Sequence, residues 1–398
     1  MGTASPFHIP HDKTRIVTLL GIGLFVIGCL VYLALGQINA DEGWYLYASK
    51  LALEGELPYR DFAYTQMPLL PYIYGVIQVV HPSVLWGRLT SVLLSMGTLA
   101  ISIVIARRYG GARAAAITAL LFASFTFCVY FNTIVKTYAL VSFFFAATLF
   151  FLSSNRGDAA QYLLALLFAL GATLVRSTAI FFLAPILVYA LAAAPRRQTR
   201  ALVLLECAAA TLVAGVFLLP DWQLARWNLL DSHLSHWGAT PILARLRDII
   251  FLRLPELVHS FGPVLVLCAV AMYFFLRYRN ARLGSHDSAP LLASTAGLVL
   301  FGASHLANGL WEIEYLVPAF TVFLPIVAIA LSHVYGEMES ASQPLAKVAL
   351  IAVIFLLPLG ESTQHTDLTG GRLPLEEIDQ VAAFVAQNSQ PTDKVLAP

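Results

Sequence analysis

Two adjacent carboxylates, Asp41 and Glu42, directly follow an apolar stretch that runs from Ile16 to Gly36. An acid at the edge of a membrane-spanning segment costs free energy when it is desolvated, so its presence there indicates a functional site. A carboxylate in this position could act as a general base toward a hydroxyl or an amine. The alternative is structural, because Asp41 could cap a helix that begins at Gly43.

Three cations near the ends of apolar stretches are candidate functional residues, because an unused charge there is costly. Arg176 lies in a tight hairpin between two apolar stretches, Lys136 lies in the short segment 132–137, and Arg60 lies beside Asp61. Guanidinium and ammonium groups form strong charge-assisted hydrogen bonds with anionic groups. Each could instead extend its flexible stem to the lipid headgroups, and Arg60 could pair with a neighbouring acid. Arg88 is a weaker candidate of the same kind.

Eight aromatic residues follow the acidic pair, and they could form an interfacial belt or line a pocket for a sugar ring or lipid headgroup. They are Trp44, Tyr45, Tyr47, Tyr59, Phe62, Tyr64, Tyr72 and Tyr74. Later in the chain, His305, Glu312 and Glu314 lie between two apolar stretches and could reach the same cavity. His233 and His236 have the spacing of a helical metal pair, but two histidines alone favour surface polar residues over a metal site.

The composition restricts the class of protein that carries these residues. The chain of 398 residues is 59% hydrophobic and 12% charged, with a net charge of +1. Soluble globular proteins contain about 25% charged residues, so the polar surface here is too small for a water-soluble particle. The near-neutral charge argues against a polyanionic partner such as a nucleic acid. Continuous apolar stretches without alternation indicate a helical, polytopic membrane protein rather than a barrel.

Eleven apolar stretches are candidate membrane spans. They are 16–36, 84–106, 113–131, 138–153, 159–175, 178–194, 201–219, 257–276, 290–308, 315–333 and 344–359. Arginines after the second, fourth, sixth and eighth stretches place the N-terminus in the cytoplasm by the positive-inside rule. The large segments 37–83, 220–256 and 361–398 then lie outside, so we expect the chemistry on the non-cytoplasmic face.

The first apolar stretch is longer than the core of a cleavable signal peptide and predicts a signal anchor. Cleavage after Ala40 is the competing possibility. In the first outer segment, we expect a short interfacial helix that ends near Gly55 and a second, aromatic helix over 69–80. Each of the four cysteines lies inside an apolar stretch and predicts a small buried side chain, not a disulfide or a metal ligand. The four are Cys29, Cys128, Cys207 and Cys268.

A pattern of residues after the first span matches a known type of membrane enzyme. The pattern consists of Asp41-Glu42, Tyr45, Ala48, Leu53, Gly55, Pro58-Tyr59-Arg60-Asp61, Pro68 and Tyr72. Shorter matches are Trp86-Gly87-Arg88-Leu89, Leu174-Val175-Arg176-Ser177-Thr178 and Tyr315-Leu316-Val317-Pro318. Together they resemble the integral-membrane GT-C glycosyltransferases, in the branch of the protein O-mannosyltransferases and the lipid A aminoarabinose transferases. The resemblance implies an all-α GT-C domain over 1–360, with its active site in the first outer segment.

The resemblance also implies a polyprenyl-phosphate sugar as donor and transfer outside the cytoplasm, at the plasma membrane, to a glycan, lipid or protein acceptor. By position Asp41 would be the catalytic carboxylate, with Glu42 as the second acid of the family's pair. We expect Asp41 to act as general base in an inverting transfer of a hexose or pentose. Arg176, Lys136 and Arg60 are the expected donor-phosphate ligands. The expected substrate pocket consists of Tyr45, Tyr59, Asp61, Tyr64, Gln66, His305 and Tyr315.

Some features depart from this pattern or leave alternatives open. Met67 stands where the aminoarabinose transferases have a lysine, and Trp44 where they have an arginine, so sugar and acceptor stay open. The sequence has no Gly-rich phosphate loop and no DxD-type motif, which argues against a nucleotide-sugar donor; no cofactor is assigned, and a divalent metal stays open. The alternatives are a transporter or flippase of a lipid-linked sugar, for which Glu206 is the main intramembrane charge, and a non-catalytic scaffold. Residues 361–398 predict the start of a soluble domain.

Overall fold

The computed structural model describes residues 11–36, 38–154, 158–235, 238, 240–282, 288–309 and 311–340, with five isolated positions beyond them. Fifteen α-helices form over these residues. They are α1 (His11–Leu35), α2 (Ala40–Leu53), α3 (Leu69–Val80), α4 (Val84–Ser124), α5 (Thr126–Phe131), α6 (Thr137–Leu152), α7 (Ala159–Val175), α8 (Ile180–Ala193), α9 (Arg197–Leu218), α10 (Trp222–Arg226), α11 (Ser232–Ser235), α12 (Ile242–Asp248), α13 (Leu254–Arg282), α14 (Ala289–Leu306) and α15 (Val317–Ser340). Short 3-10 segments, Ser177–Ala179 and Ile313–Leu316, and π-helical turns, Trp227–Asp231 and Ile249–Arg253, join neighbouring helices.

The predicted all-α architecture is confirmed. Ten of the eleven predicted spans coincide with these helices, and the eleventh, 344–359, lies outside the described residues, as does nearly all of 361–398. Among the described residues, α1, α4, α9, α14 and the segment Ile313–Gly336 are long and apolar enough to cross a bilayer. Helices α3, α6, α7 and α8 are apolar but shorter, so the number of crossings stays a prediction.

Helix α4 carries most of two predicted spans. The stretches 84–106 and 113–131 were expected to be separated by a short loop, and within the 41 residues of α4 two helical segments meet at a sharp break in that interval. The kink lies at Gly111, whose φ is 73° and ψ is −167°. Only glycine adopts this region without strain, because it lacks a Cβ. Gly111 therefore reverses the chain locally where the arginine-rich loop was predicted.

Helix α4 is the centre of the bundle. It packs against α1, α6 and α15, while α8 packs against α14 and α13 against α15. Apolar side chains at these contacts form one continuous buried cluster. Helix α9 instead leaves most of its leucines and valines exposed, Leu205 and Leu212 among them. Such a surface suits contact with lipid chains, since lipid is as apolar as these side chains. With its several apolar helices, the chain is an integral membrane protein.

The first outer segment folds as predicted into two helices, α2 and α3, which pack against each other. Helix α2 reaches α4 at Gly87, where a Cβ would lie 2.8 Å from a methyl carbon of Leu46 and 2.7 Å from one of Val135. Contacts this short are sterically forbidden, so the absence of a side chain at Gly87 lets three segments meet. They are the start of α2, the outer end of α4 and the loop before α6.

Candidate active site

The N-terminus of α2 is fixed by a capping box. The Asn39 side chain accepts a hydrogen bond from the Asp41 amide at 3.1 Å, and Glu42 Oε1 accepts one from the Asn39 amide at 2.9 Å. Such reciprocal caps satisfy backbone donors that lack partners in the first turn of a helix. The alternative prediction, that Asp41 caps a helix beginning at Gly43, is therefore wrong. Asp41 lies in the first turn, where its side chain is not needed as a cap.

Glu42 is fully buried and forms an ion pair with Arg88. Arg88 Nη2 lies 2.6 Å from Glu42 Oε1, and Arg88 Nε lies 2.8 Å from Oε2; both side chains are 0% exposed. Arg88 also donates to the carbonyl of Gly36 at 2.8 Å, and Glu42 Oε2 accepts from the Val135 amide at 3.0 Å. The pair thus joins the end of α1, the start of α2, the outer end of α4 and the loop before α6.

This burial changes the expected roles of both residues. Glu42 has no exposed atom that an acceptor could reach, and its oxygens are occupied by Arg88 and two backbone amides. Its geometry is that of a positioning residue, not of a catalytic acid. Arg88, a weak candidate for phosphate binding, is equally inaccessible. A charged pair this deeply buried is held by its mutual hydrogen bonds, because either charge alone would be strongly destabilising.

Asp41 belongs to a second ionic cluster, at the surface of the bundle. Lys136 Nζ lies 2.9 Å from Asp41 Oδ2 and 3.0 Å from Glu314 Oε1. The Asp41 side chain is 52% exposed, whereas that of Lys136 is 7% exposed. Lys136 therefore connects the first outer segment to the loop between α14 and α15. Asp41 is held at one oxygen and accessible from outside.

Arg176, between α7 and α8, completes this cluster from the opposite side. Its Nη1 donates to the Thr137 hydroxyl at 2.9 Å, and its guanidinium lies 4.5 Å from the ring centre of Tyr315 and 5.6 Å from that of Tyr138. The Tyr315 ring in turn lies 5.3 Å from the ring of His305. Stacking on aromatic faces orients a guanidinium while leaving its edge available for hydrogen bonds.

The cluster combines both signs of charge in a partly dehydrated setting. Partial burial and the neighbouring Glu314 carboxylate raise the pKa of Glu312, and Lys136 opposes that shift. Burial raises the pKa of the Tyr45 phenol far above its ordinary value, while Arg176 lowers it in part. Tyr45 is thus a neutral hydrogen-bonding group at neutral pH. Perturbed ionisable groups that converge in this way are typical of functional sites.

Five of the predicted site residues are brought together here. They are Asp41, Tyr45, Lys136, Arg176 and Tyr315, with His305 beside them. His305 Nε2 lies 3.2 Å from the Thr178 hydroxyl. Tyr138 and Thr137 were missed, because an aromatic and a hydroxyl at the start of an apolar span look like ordinary helix residues. Their position directly after Lys136 was the available signal.

Arg60 and Asp61 instead pair with each other. Two hydrogen bonds of 2.8 and 2.7 Å join them, and both are well exposed. Asp61 Oδ2 also accepts from the Leu57 amide at 2.8 Å, and the Arg60 hydrogen bonds together with this one lower the pKa of Asp61 to about 2. The alternative prediction for Arg60, a salt bridge with a neighbouring acid, is confirmed. The pair holds the turn between α2 and α3.

The remaining predicted pocket residues lie in the aromatic core of the first outer segment. Tyr59 and Tyr64 are completely buried, and Trp44 stacks on Tyr64 with ring centres 5.1 Å apart. The Tyr59 hydroxyl donates to the Gln66 carbonyl at 2.5 Å, and Tyr59 has a φ of 71°, which is strained for a residue with a Cβ. Tyr59 and Tyr64 therefore pack beneath α2, and Gln66 contributes its backbone carbonyl to this arrangement.

Metal ligands do not cluster in the part of the chain that the structure describes. The predicted histidine pair cannot be placed, because His236 lies outside the described residues. The four cysteines are free thiols: Cys29 and Cys128 are buried, and Cys207 and Cys268 are partly buried. The predicted burial is thus complete for two of the four cysteines and partial for the other two.

The helical bundle, with the interfacial helices α2 and α3 beside the charged cluster, has the GT-C fold. The predicted resemblance to GT-C glycosyltransferases is confirmed. Residues 66–220 match the family described as dolichyl-phosphate-mannose-protein mannosyltransferase. The matched region includes Lys136 and Arg176 and begins after Asp41. Comparison with curated protein sequences gives no match.

Solved structures of similar fold include ArnT from Cupriavidus metallidurans. Its apo state aligns with a TM-score of 0.58 at 15% identity over 86% of this chain and 65% of ArnT. Its complex with undecaprenyl phosphate aligns with a TM-score of 0.61 at 14% identity over 94% of this chain and 81% of that chain. The Archaeoglobus fulgidus oligosaccharyltransferase aligns with a TM-score of 0.54 at 16% identity over 93% of this chain and 56% of its own. This chain thus spans about two thirds of apo ArnT and just over half of the oligosaccharyltransferase.

Proposed function

We propose that the chain transfers a sugar from a polyprenyl-phosphate donor to an acceptor at the non-cytoplasmic face of the membrane. The observation that carries the proposal is an accessible carboxylate, Asp41, held beside two convergent cations, Lys136 and Arg176, at the outer end of the bundle. A base that takes the acceptor proton and cations that stabilise the departing phosphate are the two requirements of such a transfer. The undecaprenyl phosphate held by the fold relative ArnT supports the donor class.

The donor phosphate is placed between Arg176 and Lys136. Both side chains are more than nine-tenths buried, so their charges are poorly screened by water. Arg176 uses one nitrogen for Thr137 and is oriented by Tyr138 and Tyr315, which leaves other donors for phosphate oxygens. Lys136 would exchange contact with Glu314 for contact with phosphate. This arrangement stabilises the charge that develops on the leaving group.

The isoprenoid tail is placed in a groove between α13, α14 and α15. Its cavity has a volume of about 320 Å³ and an almost wholly apolar lining, which includes Leu257, Leu298, Leu306 and Leu316. Leu316 directly follows Tyr315, the residue that stacks on Arg176. One end of the groove is therefore formed by the chain segment that also carries the aromatic partner of Arg176. A polyprenyl phosphate likewise has a charged phosphate head followed by an apolar hydrocarbon tail.

The reaction is a single displacement at the anomeric carbon. The acceptor oxygen forms a bond to that carbon as the carbon–phosphate oxygen bond breaks, so the configuration inverts. Asp41 takes the acceptor proton, and the polyprenyl phosphate leaves with the bonding electron pair. Asp41 Oδ2 is held by Lys136, and among the described residues Oδ1 has no partner, so Oδ1 is the oxygen assigned to the proton. Glu42 and Arg88 fix the backbone on either side.

The outward orientation rests on charge distribution. The arginines of the loops opposite the site, such as Arg107, Arg196 and Arg197, favour the cytoplasmic side by the positive-inside rule. The site then faces outward, where a nucleotide sugar is not supplied. The acceptor is a glycan, a lipid or a protein hydroxyl, and the sugar is a hexose or a pentose.

The test uses the purified full chain in detergent with a panel of radiolabelled polyprenyl-phosphate sugars. Asp41→Asn should reduce release of sugar by about 10²–10⁴-fold, because general-base catalysis contributes that much. Glu54→Gln is the matched control, since Glu54 ends α2 at the surface and pairs there with Lys50, away from Asp41 and Lys136. Equal release by Asp41→Asn and wild type would refute the proposal. Binding of the lipid sugar without release under every acceptor condition would favour a transporter instead.

A further inference from the structure

A second cavity lies outside the catalytic cluster, in the outer segment that follows α9. Its volume is about 510 Å³, and it is an open depression bordered by α12, the π-helical turn after it and the loop that follows α14, with Arg247 exposed on its wall. The polar lining includes Thr240, Arg247, Asp248, Arg253 and the backbone of Gly309. None of these residues takes part in the proposed transfer step, so the cavity needs a separate explanation.

Arg253 is a structural part of the cavity wall. It is 7% exposed, and its Nε lies 2.8 Å from Asp248 Oδ2. Its Nη1 donates to the carbonyls of Leu306, at 3.1 Å, and Asn308. These contacts satisfy carbonyls at the C-terminal end of α14, which lack helical partners. The Arg253 charge is therefore neutralised by Asp248, and its guanidinium hydrogen bonds hold the loop after α14.

Arg247 lines the same cavity but differs from Arg253 in the contacts of its guanidinium. It projects from α12 and, within the described residues, makes neither a hydrogen bond nor an ion pair. Since the charges of Asp248 and Arg253 cancel, Arg247 gives the cavity a net positive charge. Its guanidinium has five donors in a planar fork that matches phosphate or carboxylate oxygens.

The cavity adjoins the mouth of the catalytic cluster. Glu256, one helical turn beyond Arg253, accepts a hydrogen bond of 2.8 Å from the Trp311 indole nitrogen. Trp311 lies two residues after Gly309 of the cavity wall and directly precedes Glu312. The pKa of the Glu312 carboxyl is raised by burial and by the charge of Asp41, and it is lowered by that of Lys136. One short loop therefore forms a wall of both spaces. A ligand in the cavity could extend across it toward Asp41.

The charges of the catalytic mouth exclude a second anion there. The carboxylates of Asp41, Glu312 and Glu314 surround the two cations assigned to the donor phosphate, so another anionic group would be repelled. We infer that the cavity at Arg247 binds an anionic group, such as a phosphate ester, carried by the acceptor. The neutral hydroxyl of the same acceptor would then point toward Asp41. This inference rests on the proposed function.

The test measures binding of glucose 1-phosphate to the full chain in phosphatidylcholine nanodiscs, first saturated with undecaprenyl phosphate to fill the donor site. Arg247→Gln should weaken binding about tenfold, as expected for loss of a charge-assisted contact. Arg226→Gln is the matched control, because Arg226 belongs to the same outer segment and already pairs with Asp231 at 3.1 Å. Its affinity should stay within about twofold of wild type. Arg247→Lys should restore part of the lost affinity.

The inference is overturned if wild type binds no glucose 1-phosphate, or if Arg247→Gln binds as well as wild type. An equal loss in Arg226→Gln would also overturn it, since the effect would then be nonspecific. Repeating the titration with phosphatidylglycerol in the nanodiscs separates two sources: competition assigns the anion to a lipid headgroup, and unchanged binding assigns it to a soluble or glycan-borne group. Asp41→Asn should keep the binding while losing transfer. A wrong assignment of the proposed function would therefore appear in the transfer assay, whereas a wrong assignment of this site would appear in the binding assay.

Discussion

The buried pair of Arg88 and Glu42 offers the sharpest test of how the site is positioned. In Arg88→Met the Glu42 carboxylate keeps two backbone amides but loses both guanidinium contacts, at 2.6 and 2.8 Å. In Glu42→Gln, the side-chain NH₂ replaces an acceptor that faces the guanidinium. Each variant leaves a charge with 0% exposure and no compensating partner of opposite sign.

The expected loss can be worked from this geometry. Removing one partner of a buried ion pair costs about 3–5 kcal/mol, because the remaining charge stays desolvated. No discount for solvent screening applies when both side chains are fully buried. In the double variant Glu42→Gln/Arg88→Met no charge is left unpaired, so it should be more stable than the less stable single variant by about 1–3 kcal/mol. The Gly36 carbonyl still loses a donor, so recovery is incomplete.

The assay is reversible unfolding by SDS titration in mixed micelles, with the four proteins of the cycle compared at one pH. Sugar transfer should be measured in parallel, because Glu42 holds the Val135 amide next to Lys136 and follows Asp41 directly. All three variants should lose activity, the double variant included. A single variant as stable as wild type, or additive losses in the double variant, would refute the argument that the pair acts as one buried unit.

Three further outcomes follow from local geometry. Arg176→Lys should lower kcat/KM for the donor by about 10- to 100-fold, because an ammonium keeps the charge but loses the planar fork and its stacking; a change below twofold would contradict this. Gly111→Ala should destabilise the fold by about 1–3 kcal/mol, because alanine is strained at a φ of 73° even though its Cβ would meet no atom within 4 Å. Gly23→Ala, in open helical backbone, is the control and should not destabilise the fold. The raised pKa of Glu312 means that the native state is favoured by protonation and loses stability as pH rises above the ordinary value of 4.5; Glu312→Gln should raise the unfolding temperature at pH 7–8 and leave it unchanged well below pH 4.5.

Much of the architecture could be predicted from the sequence. The bounds of α7 and of both interfacial helices follow from apolar run length, turn residues and charge breaks, which are local properties of the chain. The break between the stretches 84–106 and 113–131 also follows from local pattern, because arginines mark it on both sides, and the structure has its kink there, at Gly111. The form of that break, a single glycine with a φ of 73°, depends on what the two helical segments pack against, and local pattern does not contain that information.

The candidate site shows the same division. Asp41, Lys136 and Arg176 could be selected as candidates because each is a charge at the end of an apolar span, and depth in the membrane brings such residues to one level. The structure adds the contacts among them, such as the 2.9 Å ion pair between Asp41 and Lys136. The sequence does not show that Glu42 is fully buried while Asp41 is half exposed, although they are adjacent.

The sequence by itself determined the class of molecule, the depth of its charged residues and the segment that holds the acid pair, since these depend on composition and on distance along the chain. Only the tertiary structure decided which acid is accessible. Successive residues on a helix point about 100° apart, so Asp41 faces the outside while Glu42 faces α4. It is the position of Arg88, 46 residues later, that turns one carboxylate into a buried anchor, while the other stays accessible beside Lys136.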